Sequence, residues 1–226
     1  TDGDGLSDAV EVRFYGTSPV SSDTDGDGVS DAQELRDGTD PLFAGGADET
    51  AFEETFEAPA VAPGVLMGQN GWRVSVPEAA IVQGSAVRTG AAALRVSSGE
   101  ELGDVFVDCP VTNAGEVVWV DIYQIAKAAE PPARLGGDFA AAYWFDGGGR
   151  VVVCDGGTFV TNVRMRVSLE TWHRMTLRLD SPKRQWDLYV GGVLAARGLS
   201  MGVAVGPFKG FGFVGDGETV LDDVRV

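Results

Sequence analysis

Acidic residues crowd the beginning of this chain, and that crowding limits how the segment can fold. Residues 1–50 hold 13 of the 34 Asp and Glu residues and only 2 of the 17 Lys and Arg residues. A segment this acidic, with few apolar side chains, cannot become ordered by hydrophobic burial alone. We therefore expect a bound cation to stabilise it.

The spacing of the carboxylates indicates which cation. From Asp23 to Glu34, carboxylates occupy positions 1, 3, 5, 9 and 12 of a twelve-residue loop, and Gly28 occupies position 6. This is the ligand spacing of an EF-hand calcium loop, in which alternate residues face one ion and a glycine permits the sharp turn. The predicted ligands of this second acidic loop are Asp23, Asp25, Asp27, the Val29 carbonyl, Asp31 and Glu34.

The same pattern occurs 23 residues earlier, so the segment contains an internal repeat. Position 1 of this first acidic loop would precede Thr1, so we expect its site to be incomplete here and to need an upstream residue, water or a neighbouring molecule. Each loop is followed by a predicted short helix, over 8–15 and 31–37, that ends at Gly16 or Gly38. The predicted ligands of the first acidic loop are Asp2, Asp4, the Leu6 carbonyl, Asp8 and Glu11.

Residues 1–45, called the acidic module from here on, resemble the bacterial type-3 thrombospondin calcium repeats. The resemblance rests on Asp23–Glu34, which reads DTDGDGVSDAQE, and on the following GTDP of Gly38–Pro41. It implies an extracellular spacer stabilised by two calcium ions. A dockerin-like pair of loops is the close rival, although both loops here end in Glu rather than Asp. A generic acidic linker would not repeat the ligand spacing.

After a short linker at 46–50, the sequence changes to short alternating runs separated by glycine-rich turns. Fourteen candidate strands without a convincing helix predict a mainly β domain over 51–226, with two packed sheets. The candidate strands are 52–57, 72–76, 80–83, 92–97, 104–108, 116–125, 139–145, 151–155, 163–169, 173–179, 185–190, 193–199, 208–214 and 219–226. Segments such as Phe52–Glu57, Trp186–Gly192 and Leu221–Val226 resemble concanavalin A-like and laminin G-like domains. The resemblance implies a jelly-roll β-sandwich and contact with glycans, but this fold serves binding modules and enzymes alike.

One predicted strand carries a candidate glycan-binding face. Along residues 116–125, apolar residues alternate with Trp119, Asp121 and Tyr123, which would share the opposite face. Aromatic rings beside a hydrogen-bonding carboxylate are typical of a sugar-binding sheet. The alternative is that Trp119 and Tyr123 pack beneath a loop, because large aromatic side chains are mostly buried in sandwiches.

The residues favour a protein that is not an enzyme, with a polysaccharide hydrolase or lyase as a less favoured hypothesis. The strand carboxylates E-x-D-x-E of laminarinase-type hydrolases are absent, although carboxylates from separate strands could converge. Gly198–Gly202 fits the G-x-S-x-G pattern around Ser200. However, no helix is predicted after it, and the single histidine, His173, precedes it.

Cys109 and Cys154 are the two cysteines of the chain. In an oxidising compartment with millimolar calcium they could form a disulfide. Two buried thiols are the alternative, because cysteine is a common core residue.

The overall charge limits the kinds of molecule that this protein could bind. A formal net charge of −17 argues against nucleic acid, and no apolar run is long enough to span a membrane. We predict an extracellular, secreted or cell-surface protein. Two functions stay open: a jelly roll that binds a polysaccharide or cell-surface glycan, or a structural subunit of a matrix, adhesin or fibre in which neighbouring protein subunits complete the first calcium site.

Overall fold

The structure is a computed structural model that describes residues 1–37, 41–42, 52–99, 101–108, 111, 115–129, 139–160, 163, 165–202, 209–213 and 217–226. The predicted linker at 46–50 lies outside these residues, so the position of the domain boundary stays a prediction. Gly38 and Cys109 also lie outside the described residues.

The acidic module contains two short helices, as the sequence predicts. Helix α1 (Asp8–Val10) continues as a π-helical turn over Glu11–Tyr15 and ends at Gly16, whose φ of 77° is the left-handed conformation of a helix stop. Helix α2 is Asp31–Asp37. None of the described helices has the length and apolar character needed to cross a membrane.

The described remainder of the chain is built from short antiparallel strands. Two single-turn 3-10 helices, Gln69–Gly71 and Pro77–Ala79, lie between strands. The strands are β1 (Glu53–Glu54), β2 (Gly64–Val65), β3 (Arg73–Val74), β4 (Ala80–Gln83), β5 (Ala93–Ser98), β6 (Val105–Asp108), β7 (Val117–Ile125), β8 (Tyr143–Phe145), β9 (Val151–Asp155), β10 (Thr158–Val160), β11 (Trp172–Asp180), β12 (Gln185–Val190), β13 (Val193–Ser200), β14 (Gly210–Phe213) and β15 (Gly217–Arg225).

These strands form one large sheet and two small ones. The large sheet has the order β13-β12-β11-β7-β15-β5-β4-β2, with β1 also paired to β15. The small sheets have the orders β10-β9-β8 and β14-β6-β3. Neighbouring strands of the large sheet can be distant in sequence, since β7 lies between β11 and β15. The predicted mainly β sandwich is confirmed.

The core lies between the large sheet and the two small sheets. Alternation sends every second side chain of each strand inward. The large sheet contributes Val120, Met175 and Leu188, while the small sheets contribute Val107 and Val153, and all of these are buried. A single continuous apolar cluster therefore fixes the two layers, and it leaves the opposite face of the large sheet for polar side chains.

The differences from the predicted strands are local. The predicted strand over 163–169 is not present in the described part of that segment, where an isolated bridge joins Arg166 to Arg150. Two observed strands, Gly64–Val65 and Thr158–Val160, were not predicted, because they are too short for a period of two to be visible. The second is produced by the tight turn at Gly156–Gly157, both of which have positive φ.

Candidate metal centres and the outer face of the large sheet

The first acidic loop brings three predicted ligands together. Ligand oxygens of Asp2, Asp4 and Glu11 all lie within 4.8 Å of one another. Glu11 is fully buried, at 0% exposure, although it is charged and lies on a short surface helix. Asp8 is exposed and does not belong to this close group.

The second acidic loop forms a matching group. Ligand oxygens of Asp23, Asp25 and Asp27 lie within 4.8 Å of one another. The carboxylate of Asp23 accepts the N–H groups of Gly26 and Gly28 at 2.7 and 2.9 Å. The predicted ligands Asp31 and Glu34 are buried but do not belong to this close group.

Both loops orient their carboxylates by the same hydrogen bonds. Oδ1 of the aspartates at positions 3 and 5 accepts the backbone N–H two residues further along, at 2.7 to 3.3 Å. The N–H groups of Leu6 and Val29 are donors in this pattern, whereas ligation by their carbonyls stays a prediction. Because Oδ1 accepts these hydrogen bonds, Oδ2 of each of these aspartates is left facing inward, where it is buried.

Those second oxygens have an energetic cost that nothing in the described part of the chain offsets. A buried carboxylate oxygen without a donor is strongly unfavourable. The buried oxygens without a hydrogen-bond partner among the described residues include Asp2 Oδ2, Asp4 Oδ2, Glu11 Oε2, Asp25 Oδ2 and Asp27 Oδ2. Three of these oxygens lie in the first loop and two in the second. Each set suits a divalent cation such as Ca²⁺, which prefers carboxylate and carbonyl ligands.

The pKa values reflect the same conflict. Burial raises the pKa of Glu11, and the charges of Asp2 and Asp4 raise it further. Burial also raises the pKa of Asp25, with repulsion from Asp27 adding to it. Glu11 and Asp25 therefore disfavour their own negative charge until a cation neutralises it. The pKa of Asp23 is instead lowered, because its carboxylate accepts the Gly28 and Gly26 N–H groups.

The residue at position 9 has a role that the sequence did not reveal. Both carboxylate oxygens of Asp31 accept from Thr24, from its N–H at 2.8 Å and its hydroxyl at 2.7 Å. In the first loop, the Thr1 hydroxyl donates to Asp8 at 2.9 Å. Threonine at position 2 and aspartate at position 9 thus form a repeated pair that closes each loop. The 23-residue repeat carries this signal in both copies.

Asp31 also connects the two loops. Burial raises its pKa first, and the charges of Asp4 and Asp2 in the first loop raise it further. The Ser18 N–H donates to the Thr24 hydroxyl at 2.8 Å, which ties the tail of the first repeat to the second loop. The first cluster therefore acts electrostatically on Asp31, and the Ser18–Thr24 hydrogen bond links the two repeats.

A second residue that sequence analysis missed supports Glu11. The hydroxyl of Thr17 lies 3.4 Å from Glu11 Oε1, and Thr17 is itself buried. Thr17 belongs to the Gly-Thr pair that follows each predicted helix, so the repeated tail was the available signal. The tail helps to orient the last carboxylate of the loop.

The predicted glycan-binding residues lie on the outer face of the large sheet, and each has a protein contact. Both carboxylate oxygens of Asp121 share the single Nε–H of Arg174, at 2.8 and 2.9 Å, and Oδ1 also accepts from the Thr176 hydroxyl at 2.6 Å. The ring of Trp119 packs against Tyr189, with centroids 5.6 Å apart. The ring of Tyr123 lies beneath the Arg88 guanidinium, 3.2 Å from its centroid. Glycan binding by these three residues stays a prediction.

Three further predicted features can be located. Ser200 is exposed at the end of β13, and its N–H donates to Asp155 at 2.7 Å. His173 lies at the start of β11, and its Nε2 is 2.8 Å from the Ser168 carbonyl oxygen. Cys154 is buried, and burial raises the pKa of its thiol. Its proposed disulfide partner lies outside the described residues.

Comparison by sequence identifies the acidic module but not the sandwich. A profile of the bacterial TSP3 repeat matches residues 1–20 and 23–44. The matched segments contain every predicted calcium ligand. A search of curated proteins finds no match for the chain.

Comparison by structure shows the fold of the sandwich. A sialidase is similar over 78% of this chain and 18% of its own, with a TM-score of 0.51 and 13% identity. The cellulose induced protein Cip1 is similar over 76% and 95%, with a TM-score of 0.46 and 13% identity. The CBM22-1 xylan-binding domain of Paenibacillus barcinonensis Xyn10C is similar over 78% and 92%, with a TM-score of 0.33 and 17% identity. The chain thus spans less than a fifth of the sialidase, and that likeness concerns the fold alone.

Proposed function

We propose that the acidic module binds two calcium ions, one in each loop. The observation that carries the proposal is the set of buried, inward-facing carboxylate oxygens without a donor. In the first loop Asp2, Asp4 and Glu11 would hold the ion, and in the second Asp23, Asp25 and Asp27 would hold it. A flexible loop rich in carboxylates suits calcium better than magnesium, which demands near-ideal octahedral geometry and retains its waters.

The remaining predicted ligands complete this proposal. The carbonyls of Leu6 and Val29 and the carboxylate of Glu34 would add oxygens to the coordination shell. Asp8 and Asp31, which are bonded to threonines, would act from outside the shell or through water, as position 9 often does.

Calcium titration of the intact chain by isothermal titration calorimetry tests this proposal. We expect two binding events in the wild type, and we expect Asp25→Asn to lose the event of the second loop. Asp37→Asn is the matched control, because Asp37 is exposed at the end of α2 and outside the clusters. A wild-type chain that produces no calcium-dependent heat would overturn the proposal.

For the sandwich we propose non-catalytic glycan recognition, in a concanavalin A-like or laminin G-like jelly roll. Within the described residues, the side chain best placed to stack on a sugar is Phe106, which is 41% exposed. It stands on the outer face of β6 with exposed Asp108, and Arg73 is the cross-strand neighbour of Asp108. The ring borders Gly212 of β14, so no side chain there covers it. We call Phe106, Asp108 and Arg73 the Phe106 surface.

Substitution separates this surface from the face predicted by sequence. Phe106→Ala and Trp119→Ala should be compared for binding to a panel of insoluble polysaccharides. We expect Phe106→Ala to lose binding, because an exposed ring stacks on sugar C–H groups. Loss with Trp119→Ala alone would instead support the Trp119, Asp121 and Tyr123 face. A wild-type chain that binds no polysaccharide would contradict both.

Extracellular localisation and the structural alternative belong to the same proposal. The match to the bacterial TSP3 repeat, together with the weak calcium sites typical of extracellular modules, favours a secreted or cell-surface location. In the alternative function, a neighbouring subunit completes the first calcium site. Analytical ultracentrifugation with and without calcium distinguishes a glycan-binding module from a structural subunit, because only the structural subunit would assemble when calcium is added.

A further inference from the structure

Arg174 joins the sandwich to the acidic module. It lies on the outer face of β11, and its side chain is only 10% exposed. Its Nε atom holds Asp121, while Nη1 donates to the backbone carbonyl of Arg36 at 2.7 Å and reaches that of Leu35 at 3.5 Å. One guanidinium therefore contacts a sheet carboxylate and the last turn of α2.

The last turn of a helix is a suitable partner for this cation. Its final carbonyls have no intrahelical donor, and they form the negative end of the helix dipole. Helix α2 begins at Asp31, inside the second acidic loop, and the Asp31 N–H donates to the Ser22 carbonyl at 2.9 Å. The end that Arg174 contacts thus belongs to a helix whose beginning is fixed by the loop.

A second arginine of the large sheet lies close to the end of the helical segment that starts with α1. The helical segment that starts with α1 ends at Gly16, and a Cβ built on Gly16 would lie 3.1 Å from Arg197 Nη1 of β13. The turn between β12 and β13 also approaches the module, because a Cβ on Gly192 would lie 3.2 Å from the Leu35 carbonyl oxygen. Both short helices therefore direct their carboxyl ends toward an arginine of the large sheet.

We infer that calcium binding and docking of the acidic module on the sandwich are one coupled equilibrium, with Arg174 as the positioning residue. The inference rests on the proposed calcium binding. An ordered second loop orders α2, and only an ordered α2 presents its final carbonyls to Arg174. Coupling of this kind is reciprocal, so a chain that cannot dock must bind calcium more weakly.

The test uses Arg174→Lys in the full chain. Lysine retains a positive charge beside Asp121, but a single ammonium cannot bridge that carboxylate and the helix carbonyls as a guanidinium does. We expect the calcium affinity of the second loop to fall by about fivefold or more, at the lower end of typical coupling between sites. Arg95→Lys is the matched control, because Arg95 pairs with Glu218 elsewhere on the same sheet.

Hydrogen exchange gives an independent measurement that needs no variant. In the wild type we expect calcium to slow amide exchange both in 31–37 and in the β12–β13 hairpin, residues 187–198. In Arg174→Lys the effect on the hairpin should disappear while that on 31–37 persists. Calcium binding without any effect on the wild-type hairpin would overturn the inference and leave the proposed calcium function intact. If calcium does not bind at all, the proposed function itself fails.

Discussion

The acidic module and the sandwich bury carboxylates in opposite ways. In the sandwich, Asp121 is 6% exposed and accepts from Arg174 and Thr176, and Glu54 is 3% exposed and accepts from the Phe56 N–H and the Trp72 indole. In the module, Glu11 is 0% exposed and one of its oxygens has no donor among the described residues. The sandwich supplies its own donors and counter-charges to these carboxylates, whereas one oxygen of Glu11 in the module has no donor among the described residues.

This difference has a consequence for stability. A buried charge that is fully paired contributes to a fixed structure under all ionic conditions. A buried charge that awaits a cation makes the fold of its segment conditional on that cation. The sandwich should thus stay folded without calcium, whereas the module should be ordered without calcium only where protonation neutralises its buried carboxylates.

Asp121→Ala should have the largest effect. It leaves Arg174 as a buried charge without its carboxylate, which costs about 3–5 kcal/mol of the free energy of unfolding. Urea unfolding followed by tryptophan fluorescence measures it, in saturating calcium so that the docked module keeps Arg174 buried. Glu218→Ala, which removes two partly exposed ion pairs, with Arg95 and Lys127, should cost less than about 1 kcal/mol. Equal losses in the two variants would contradict the comparison.

The effect of Asp25→Asn on the stability of the module should change sign when calcium is added. At a calcium concentration about 100 times the dissociation constant, one site stabilises the wild type by about 2.7 kcal/mol, and the variant should lack that gain. In EGTA the variant should be at least as stable as the wild type, because it removes repulsion with Asp27 and Asp23. Calorimetric melting with and without calcium measures both effects. Destabilisation of equal size in EGTA would show that the loop is ordered without metal.

Thr24→Val should have a smaller effect. It removes the hydroxyl that donates to Asp31 and accepts from the Ser18 N–H, at a cost of about 1–2 kcal/mol to the module. Thr1→Val is the matched control, because the equivalent pair with Asp8 is exposed and should contribute less than about 0.5 kcal/mol. Hydrogen exchange of residues 23–37 in saturating calcium is the measurement. Similar effects of both variants would argue against a special role for the buried pair.

The pH dependence should be the smallest and most specific effect. The pKa of Glu11 is raised by burial, so without calcium its contribution to stability is present below its ordinary value of 4.5 and is lost as pH rises through the folded pKa. The pKa of Asp146 is lowered by the Arg150 N–H, so its contribution is present above its ordinary value of 3.8 and is lost as pH falls through the folded pKa.

Carbon-detected NMR titration of the two carboxyl groups in EGTA measures these shifts directly. We expect Glu11 to titrate above its ordinary range and Asp146 below it. Calcium should abolish the upward shift at Glu11, since a bound cation favours the charged form. A Glu11 pKa that does not respond to calcium would place this residue outside the coordination shell.

The sequence predicted the parts of this molecule that depend on local spacing. It located α2 over Asp31–Asp37, and it located β4, β9 and β12 at their observed ends. It could not predict β2 or β10, because a two- or three-residue strand is defined by its partner rather than by its own pattern. In the loops, ligand spacing predicted the clusters, while the pairing of Thr24 with Asp31 required three-dimensional contacts.

The candidate glycan face shows the same limit. Alternation predicted that Trp119, Asp121 and Tyr123 share one side of a strand, because side chains of a strand point to opposite faces in turn. It could not predict that Arg174 would contact Asp121 or that Arg88 would contact Tyr123, since both arginines are distant in sequence from this strand. Exposure of Phe106 likewise depends on Gly212, which is 106 residues later.

The amino-acid sequence alone predicted that the first part of this chain needs cations and that the rest forms a β-sandwich, because both predictions follow from charge and periodicity within short segments. Only the tertiary structure decided which buried carboxylates are paired and which are not, and that the helix ends of the module meet arginines of the large sheet. Those outcomes depend on contacts between residues such as Arg36 and Arg174, 138 positions apart, and no local pattern encodes a meeting over that separation.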